Sequence, residues 1–268
     1  MYLEKWQMMF YTNIMEMGTT YLWGEKLFME YYNSKFICKK LLFEMCEGVF
    51  SESKKLPRET ELAKYLGISR TQLRDVLSKL EREGFITRKL GVGTLINHHV
   101  VQVKNRMDIE TEFMDIIRNN GYEAEVRNIR VIEDVADDVL AAKLDIAEGT
   151  EIIKIYRTCT ANGKPVIYCE DVIEKSIIKD EYTSEDFKPS IFNFLLKHCG
   201  IKVYMDLTRI SAEVSDVTTS RELEVEIHTP LLVMDEIDYD FEGKVIFYSK
   251  QYFVSGEIEQ TVLRMKLQ

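Results

Sequence analysis

Arg70, Thr71, Gln72 and Arg74 crowd the start of the run SRTQLRDVLSKLEREG. Arginine carries five donors in a rigid fork, and glutamine carries an amide that both donates and accepts. Ser69, immediately before them, has the side-chain oxygen that caps a helix. On such a helix Arg70 and Arg74 lie one turn apart on one face. The set can read nucleic-acid base edges, since arginine bonds guanine bidentately and glutamine bonds adenine. Other reactive residue types offer less. Cys38, Cys46, Cys159, Cys169 and Cys199 are odd in number, widely spaced and without a C-x-x-C pair, so neither a disulfide framework nor a structural zinc site is expected. His98 and His99 would point to opposite faces of a strand and are read as linker residues. No clear grouping of acid, base and nucleophile emerges, so no catalytic residue, metal ligand or cofactor is assigned.

The elements that must position the arginines follow from periodicity. From Ser34, Ile37, Leu41 and Met45 recur every four residues with Leu42 alongside, and Gly48 follows as a stop. Pro57, Glu59 and Glu61 suit the first turn of a second helix, which buries Leu62, Ala63 and Leu66 and ends at Gly67. The third helix carries Leu73, Val76, Leu77 and Leu80 as its apolar stripe and closes at Gly84. Two helices joined by a short Gly-containing turn make a helix-turn-helix. FITR and TLIN then alternate as short strands around KLGVG, with Arg88 and Lys89 placed at the hairpin tip. Charge is divided in the same way: residues 34–104 carry +6 and residues 105–268 carry -14, within a net charge of -10. That asymmetry confines a nucleic-acid contact to the first part.

The run from LPRETELAKYLGISRTQLRDVLSKLEREGFI to GVGT resembles the winged helix-turn-helix of the GntR family of bacterial transcription regulators. In the family pattern an arginine follows the capping serine, which falls on Arg70, and another stands four residues on, at Arg74. A glycine at the wing tip falls on Gly91. Before the second helix the usual serine is Arg58 and the usual DNA-contacting arginine is Thr60. The resemblance implies that DNA is contacted through Arg58, Thr60, Ser69, Arg70, Thr71, Gln72, Arg74 and Gly91.

The acidic part contains an internal repeat. A helix is expected over Asp108–Asn119, then the strand YEAEVRNIRVI. LDIAEGTEIIKIYRTCTANGKPVIYCEDVI and LEVEIHTPLLVMDEIDYDFEGKVIFYSKQYFV align at a spacing of 79 to 80 residues, with Gly163-Lys164 and Gly243-Lys244 in the turns and Tyr168 and Tyr248 in the returning strands. Two hairpins marginal alone must share a sheet. Between them PSIFNFLLKHCG forms a helix with Ser190 as N-cap and Gly200 as stop, followed by a strand over Val203–Val214. The fold class is α+β: a winged helix-turn-helix, then an antiparallel sheet of about six strands with helices on it.

This part resembles the chorismate-lyase-like UTRA effector domain of the HutC subgroup. The resemblance implies an effector between the hairpins, often a phosphorylated sugar, held by Arg157, Glu170 and Ser190, and Tyr168 on the same returning strand is read as a further effector-binding residue. It departs where a second arginine is replaced by Cys159, and where glutamate, tyrosine and arginine give way to Phe247, Phe253 and Val254. Losing charge-assisted bonds favours a less polar or differently shaped effector.

The organisation expected is an N-terminal extension over 1–33, the winged helix over 34–97, a linker over 98–107 and the effector and dimerisation domain over 108–268. Residues 1–33, rich in Met and aromatics, are either an extra helix packing on the dimer or a matter of start site, with Met29 as the alternative. With no apolar run long enough to span a bilayer and no signal peptide, the chain is expected in the cytoplasm. It is read as a homodimeric repressor that binds a double-stranded inverted-repeat operator and answers to a small molecule. A DNA-binding dimer with a decayed pocket and a lyase-like enzyme are the alternatives.

Overall fold

The computed structural model describes residues 25–188 and 190–266; the stretch 1–24, part of the N-terminal extension, lies outside them. The chain divides into two compact units, one running to Val103 and taking back the stretch from Leu263, the other Lys104–Val262.

In the first unit α1 (Glu25–Cys46) reaches further back than its apolar pattern suggested, so the boundary at residue 34 falls within a helix. It is followed by α2 (Glu59–Leu66) and α3 (Arg70–Arg82). Ile37, Leu41 and Met45 of α1 join Leu62 of α2 and Leu73, Val76, Leu77 and Leu80 of α3 in the buried core. Pro57 stands outside α2, before the N-cap position held by Arg58, so the first turn is left to Glu59 and Glu61. Glu44, buried in α1, accepts from the Tyr65 hydroxyl at 2.7 Å and from the Val49 amide at 3.0 Å, tying the end of α1 to α2.

The wing is the antiparallel pair β1 (Ile86–Lys89) and β2 (Gly93–Ile96). A third segment joins it: Leu56 N donates to Thr94 O at 2.9 Å and Ile96 N to Lys54 O at 3.1 Å. The expected linker is partly folded into this unit. α4 (His98–Val101) buries Val100 and Val101, and the His98 ring is 2.9 Å from Ser53 O, so the chain leaves the unit only after Val103. At the far end Leu263 lies so close over Gly84 that a Cβ there would meet it at 2.5 Å, which takes the last residues out of the expected 108–268 domain.

The second unit is a six-stranded antiparallel sheet in the order β3-β4-β5-β8-β7-β6. Its strands are β3 (Ala124–Val135), β4 (Glu151–Ala161), β5 (Lys164–Glu174), β6 (Met205–Val214), β7 (Pro230–Tyr239) and β8 (Val245–Val254). The repeat is larger than two hairpins. β3, α6 (Asp138–Leu144), β4 and β5 are matched by β6, α8 (Val217–Leu223), β7 and β8, and both helices end on a left-handed residue, Asp145 and Glu224. The copies meet along β5 and β8, where Tyr168 pairs with Tyr252, Glu170 with Lys250 and Val172 with Tyr248, as a two-fold between them requires.

The sheet has two covered faces. On one, α6 and α8 pack on Ile152, Val172, Tyr248, Tyr168 and Tyr252. On the other, α5 (Phe113–Asn119) and α7 (Ile191–Phe194), which continues as a wider turn through Cys199, pack on Ile155, Cys159, Ile173, Phe247 and Phe253. α5 starts five residues later than expected, because Arg106 folds onto Asp108 and holds the lead-in outside the helix. In β5, Thr160 opposes Pro165 but Cys159 opposes Ile167, so Val166 is an extra residue. Such a bulge reverses which side chains of the strand share a face with those of β4.

Candidate functional site

The structure carries two candidate sites, one in each unit. In the first, α3 begins with a reciprocal cap: Gln72 N donates to Ser69 Oγ at 3.2 Å and Ser69 N donates to Gln72 Oε1 at 3.1 Å. Ser69 is thus the predicted N-cap, while the amide oxygen of Gln72, assigned above to an adenine, is engaged in the cap. A bidentate adenine contact uses that oxygen, and in this structure it is held in the cap.

Arg70 and Thr71 are exposed in the first turn, and Arg70 has no hydrogen bond or ion pair among the described residues. Arg74 Nε lies 2.8 Å from Glu59 Oε2, linking α3 to the first turn of α2, with the arginine side chain still 59% exposed. Arg58 and Thr60 are exposed at the start of α2. Arg88 is not at the wing tip: it sits on β1, and its guanidinium bonds Glu81 and Ser78 of α3. Together with the Arg88 amide, this holds the Glu81 carboxyl below its ordinary range against the effect of partial burial. The tip itself is the fully exposed Leu90 with Gly91, whose φ of 76° suits glycine and whose Cβ position is open space. The result is an exposed helix N-terminus beside a basic wing, the geometry that enters a major groove.

In the second unit a cavity of about 500 Å³ opens on the α5/α7 face. Arg157, on β4, is buried at its wall and is bound by Asp171 of β5, with Nη2 2.6 Å and Nε 3.0 Å from Oδ2. Burial opposes the Arg157 charge, but Asp171 and the neighbouring Cys169 and Cys159 outweigh it and hold the guanidinium above its usual pKa. Ser249 Oγ donates to Asp171 Oδ1 at 2.7 Å. The Gln251 amide lies 3.2 Å from Ser249 Oγ and 3.3 Å from Glu236 Oε1, and Thr208 Oγ1 lies 2.9 Å from both Glu236 and Asp206. A continuous polar chain therefore crosses five strands, β4, β5, β8, β7 and β6, along the cavity floor.

Burial, and then the Asp206 charge, push the Glu236 carboxyl up to about 7. Asp238, buried behind it, is pushed up to about 10 by burial and by Glu236, Asp206 and Glu110. Ser190 lines the cavity, its hydroxyl accepting from Asn193 N at 3.1 Å as the N-cap of α7.

Cys159, Phe247 and Phe253 also line the cavity, whereas Tyr168, Glu170 and Val254 do not. These three lie on the opposite face. Tyr168 is stacked between Tyr156 and Tyr252, Val254 packs in the same cluster, and Glu170 borders a smaller cavity of about 160 Å³ with Lys154 and Tyr156. The bulge at Val166 is the reason. Without it Glu170 would share the face of Arg157, and with it Asp171 does. Burial raises the Glu170 carboxyl above its ordinary range. Asp171, Ser249, Gln251, Glu236 and Thr208 went unassigned from sequence, although alternation from Arg157 across the sheet would have reached them once the bulge was placed. Among the described residues no group of three or more His, Cys, Asp and Glu is disposed to hold a metal ion.

A helix-turn-helix with an exposed, capped recognition helix and a basic wing, followed by a sheet domain with a cavity on one face, defines a DNA-binding transcription regulator. The sequence profile described as bacterial regulatory proteins, gntR family, matches residues 33–96, and that of the UTRA domain matches residues 119–258. The chain belongs to the GntR family, in the UTRA-containing branch that includes the HutC subgroup. The HTH-type transcriptional repressor NagR of Bacillus subtilis is 24% identical over 81% of this chain and 88% of its own length. A protein of Shigella flexneri named "Probable fructoselysine utilization operon transcriptional repressor" is 22% identical over 84% of this chain and 91% of its own. Among solved structures, that of the possible transcriptional regulator YydK from Bacillus subtilis covers 87% of this chain and 99% of its own, with a TM-score of 0.71 at 18% identity, and supports the fold. No helix among the described residues is long and apolar enough to cross a membrane.

Proposed function

We propose that the chain is a repressor that binds an inverted-repeat operator as a homodimer and is released by a small molecule held in the cavity beside Arg157. The observation that carries the sensing role is the cavity itself. It persists with Phe247 and Phe253 on its wall, and its volume of about 500 Å³ falls within the range of small-molecule sites, roughly 300–1,000 Å³. That favours a working pocket over a decayed one. Repression accords with the names of the relatives.

Dimerisation is supported by β6, an edge strand with Leu207, Ile210 and Val214 exposed. An apolar edge of that kind is ordinarily covered, and a second copy covers it with the two-fold symmetry that an inverted repeat demands. The effector acts by binding the DNA-incompetent arrangement more tightly than the competent one.

In-vitro selection from a random duplex pool with the full chain tests this. The expected product is an inverted repeat whose half-site centres lie roughly 10 base pairs apart or a multiple of that, so that both face one side of the duplex. Enrichment of single half-sites, or of no sequence, refutes the dimeric operator reading.

A further inference from the structure

The charges lining the cavity do not suit an anion. Two arginines, Arg106 and Arg157, face it together with the carboxyl groups of Asp108, Glu110, Glu112, Asp171, Asp206 and Glu236. Arg106 is bound by Asp108 and Arg157 by Asp171, so each positive charge is already neutralised by an internal carboxylate, and a phosphate or carboxylate would meet no net positive charge there.

The opposite holds at the β6–β7 side. Asp206 and Asp238 stand directly across from each other in register, and Glu236 is opposite Thr208 on the same face. Like charges in that position destabilise a sheet unless a proton or a cation lies between them. The only donors that reach Asp206 and Glu236 among the described residues are the neutral side chains of Thr208 and Gln251. Asp238 is 0% exposed, and among the described residues its carboxyl faces the carboxyl of Glu236 with no amide, hydroxyl or cationic donor in reach. The three groups form an acidic patch, buried at Glu236 and Asp238 and half-buried at Asp206, with no cation against it among the described residues, and it opens to the cavity through Glu236 and Asp206.

Two features define what fits. The carboxyl groups are not disposed as a metal site. The walls beside them are Phe192, Phe247, Phe253 and Met234, surfaces that take a carbon skeleton and, through the aromatic faces, a positive charge.

We propose that the cavity recognises an organic cation, a small molecule whose protonated amine sits against Glu236 and Asp206 while its body lies on the phenylalanine wall. The proposal rests on the reading of this cavity as the effector site. It replaces the phosphorylated sugar that the UTRA resemblance implied. In the empty protein the patch holds protons, as the raised carboxyl groups of Glu236 and Asp238 indicate. The ammonium therefore enters with release of a proton.

The experiment is isothermal titration and thermal shift on the full chain. The probes are amines (phenethylamine, tyramine, agmatine, cadaverine and glucosamine), each matched with its alcohol or carboxylate counterpart, together with inorganic phosphate and glucose 6-phosphate. Three results are expected: at least one amine binds at least tenfold more tightly than its matched partner; Glu236→Gln and, as an independent variant, Asp206→Asn each weaken it at least tenfold; and the heat depends on buffer ionisation near neutral pH. Preference for a carboxylate or phosphate, amine binding unchanged in both variants, or no amine binding at 10 mM overturns the proposal. Thr111→Trp, in the lead-in to α5 that lines the cavity away from β6, separates the two readings. Anion binding abolished by Thr111→Trp keeps the effector site and removes the cation; binding of any probe untouched by Thr111→Trp places it outside the cavity and removes both.

Discussion

Asp171→Asn provides a sharp test of how the sheet places the cavity wall. The substitution keeps the shape of the side chain and removes its charge. Arg157 then stays where it is, with its side chain 4% exposed, beside a partner that was 1% exposed and is now neutral. Breaking a buried ion pair from one side costs about 3–5 kcal/mol, because the surviving charge is left without compensation. Ser249, which donates to Asp171 Oδ1, retains an acceptor if the new amide presents its oxygen, so the loss is chiefly electrostatic. In a unit of this size each kcal/mol lowers the midpoint of thermal unfolding by roughly 2–4 °C, so the expected shift is roughly 6–20 °C. The assay is thermal and urea unfolding of the full chain followed by circular dichroism, with Glu170→Gln as the control. Glu170 lies on the other face, and its loss should change stability by no more than about 1 kcal/mol. If Glu170→Gln is the damaging change and Asp171→Asn is silent, the bulge at Val166 is misplaced and the whole account of the cavity wall falls with it.

Two further outcomes follow from the same geometry. Glu236 stands at about 7 in the folded protein against about 4.5 unfolded, so between those values the folded state holds a proton that the unfolded chain has released. Stability from this group is complete below pH ~4.5 and is lost as the pH rises through ~7, a loss of about 3 kcal/mol at 1.36 kcal/mol per unit. Asp238 extends the fall in the same direction to higher pH. Urea titrations from pH 5 to 8 should show that decline, and Glu236→Gln should flatten it; a stability that rises with pH through this range contradicts the buried acidic patch. Ser69→Ala removes one half of the cap on α3 and should cost about 1 kcal/mol by chemical unfolding. No measurable cost means that the recognition helix does not start at Arg70.

Much of this was legible in the sequence because local chemistry decided it. Ser69, Gly67 and the Leu73, Val76, Leu77, Leu80 stripe suffice to place α2 and α3, since caps and a period of 3.6 are properties of adjacent residues. The repeat gave the two hairpins, and hence the sheet. What escaped was non-local. A one-residue bulge beside Pro165 is a small event in sequence, yet it moved Tyr168 and Glu170 to the far face and brought Asp171 onto Arg157. The pairing of Arg74 with Glu59, and the turning back of Arg88 onto Glu81, join residues 15 and 7 positions apart and were not visible in either segment alone. The ends of the units were also hidden. Val100, Val101 and Leu263 pack on the first unit because of what surrounds them, not because of any signal in HHVVQVKNRM or in the last residues.

The central claim is that DNA is read from the exposed start of α3. Fluorescence anisotropy of the full chain on its selected operator, at about 0.15 M salt, tests it through Arg70→Ala combined with Arg74→Ala. At about 1–3 kcal/mol for each base-reading arginine, the double variant should bind at least 30-fold more weakly while its unfolding midpoint stays near that of the parent. Undiminished binding by a folded double variant would contradict the account.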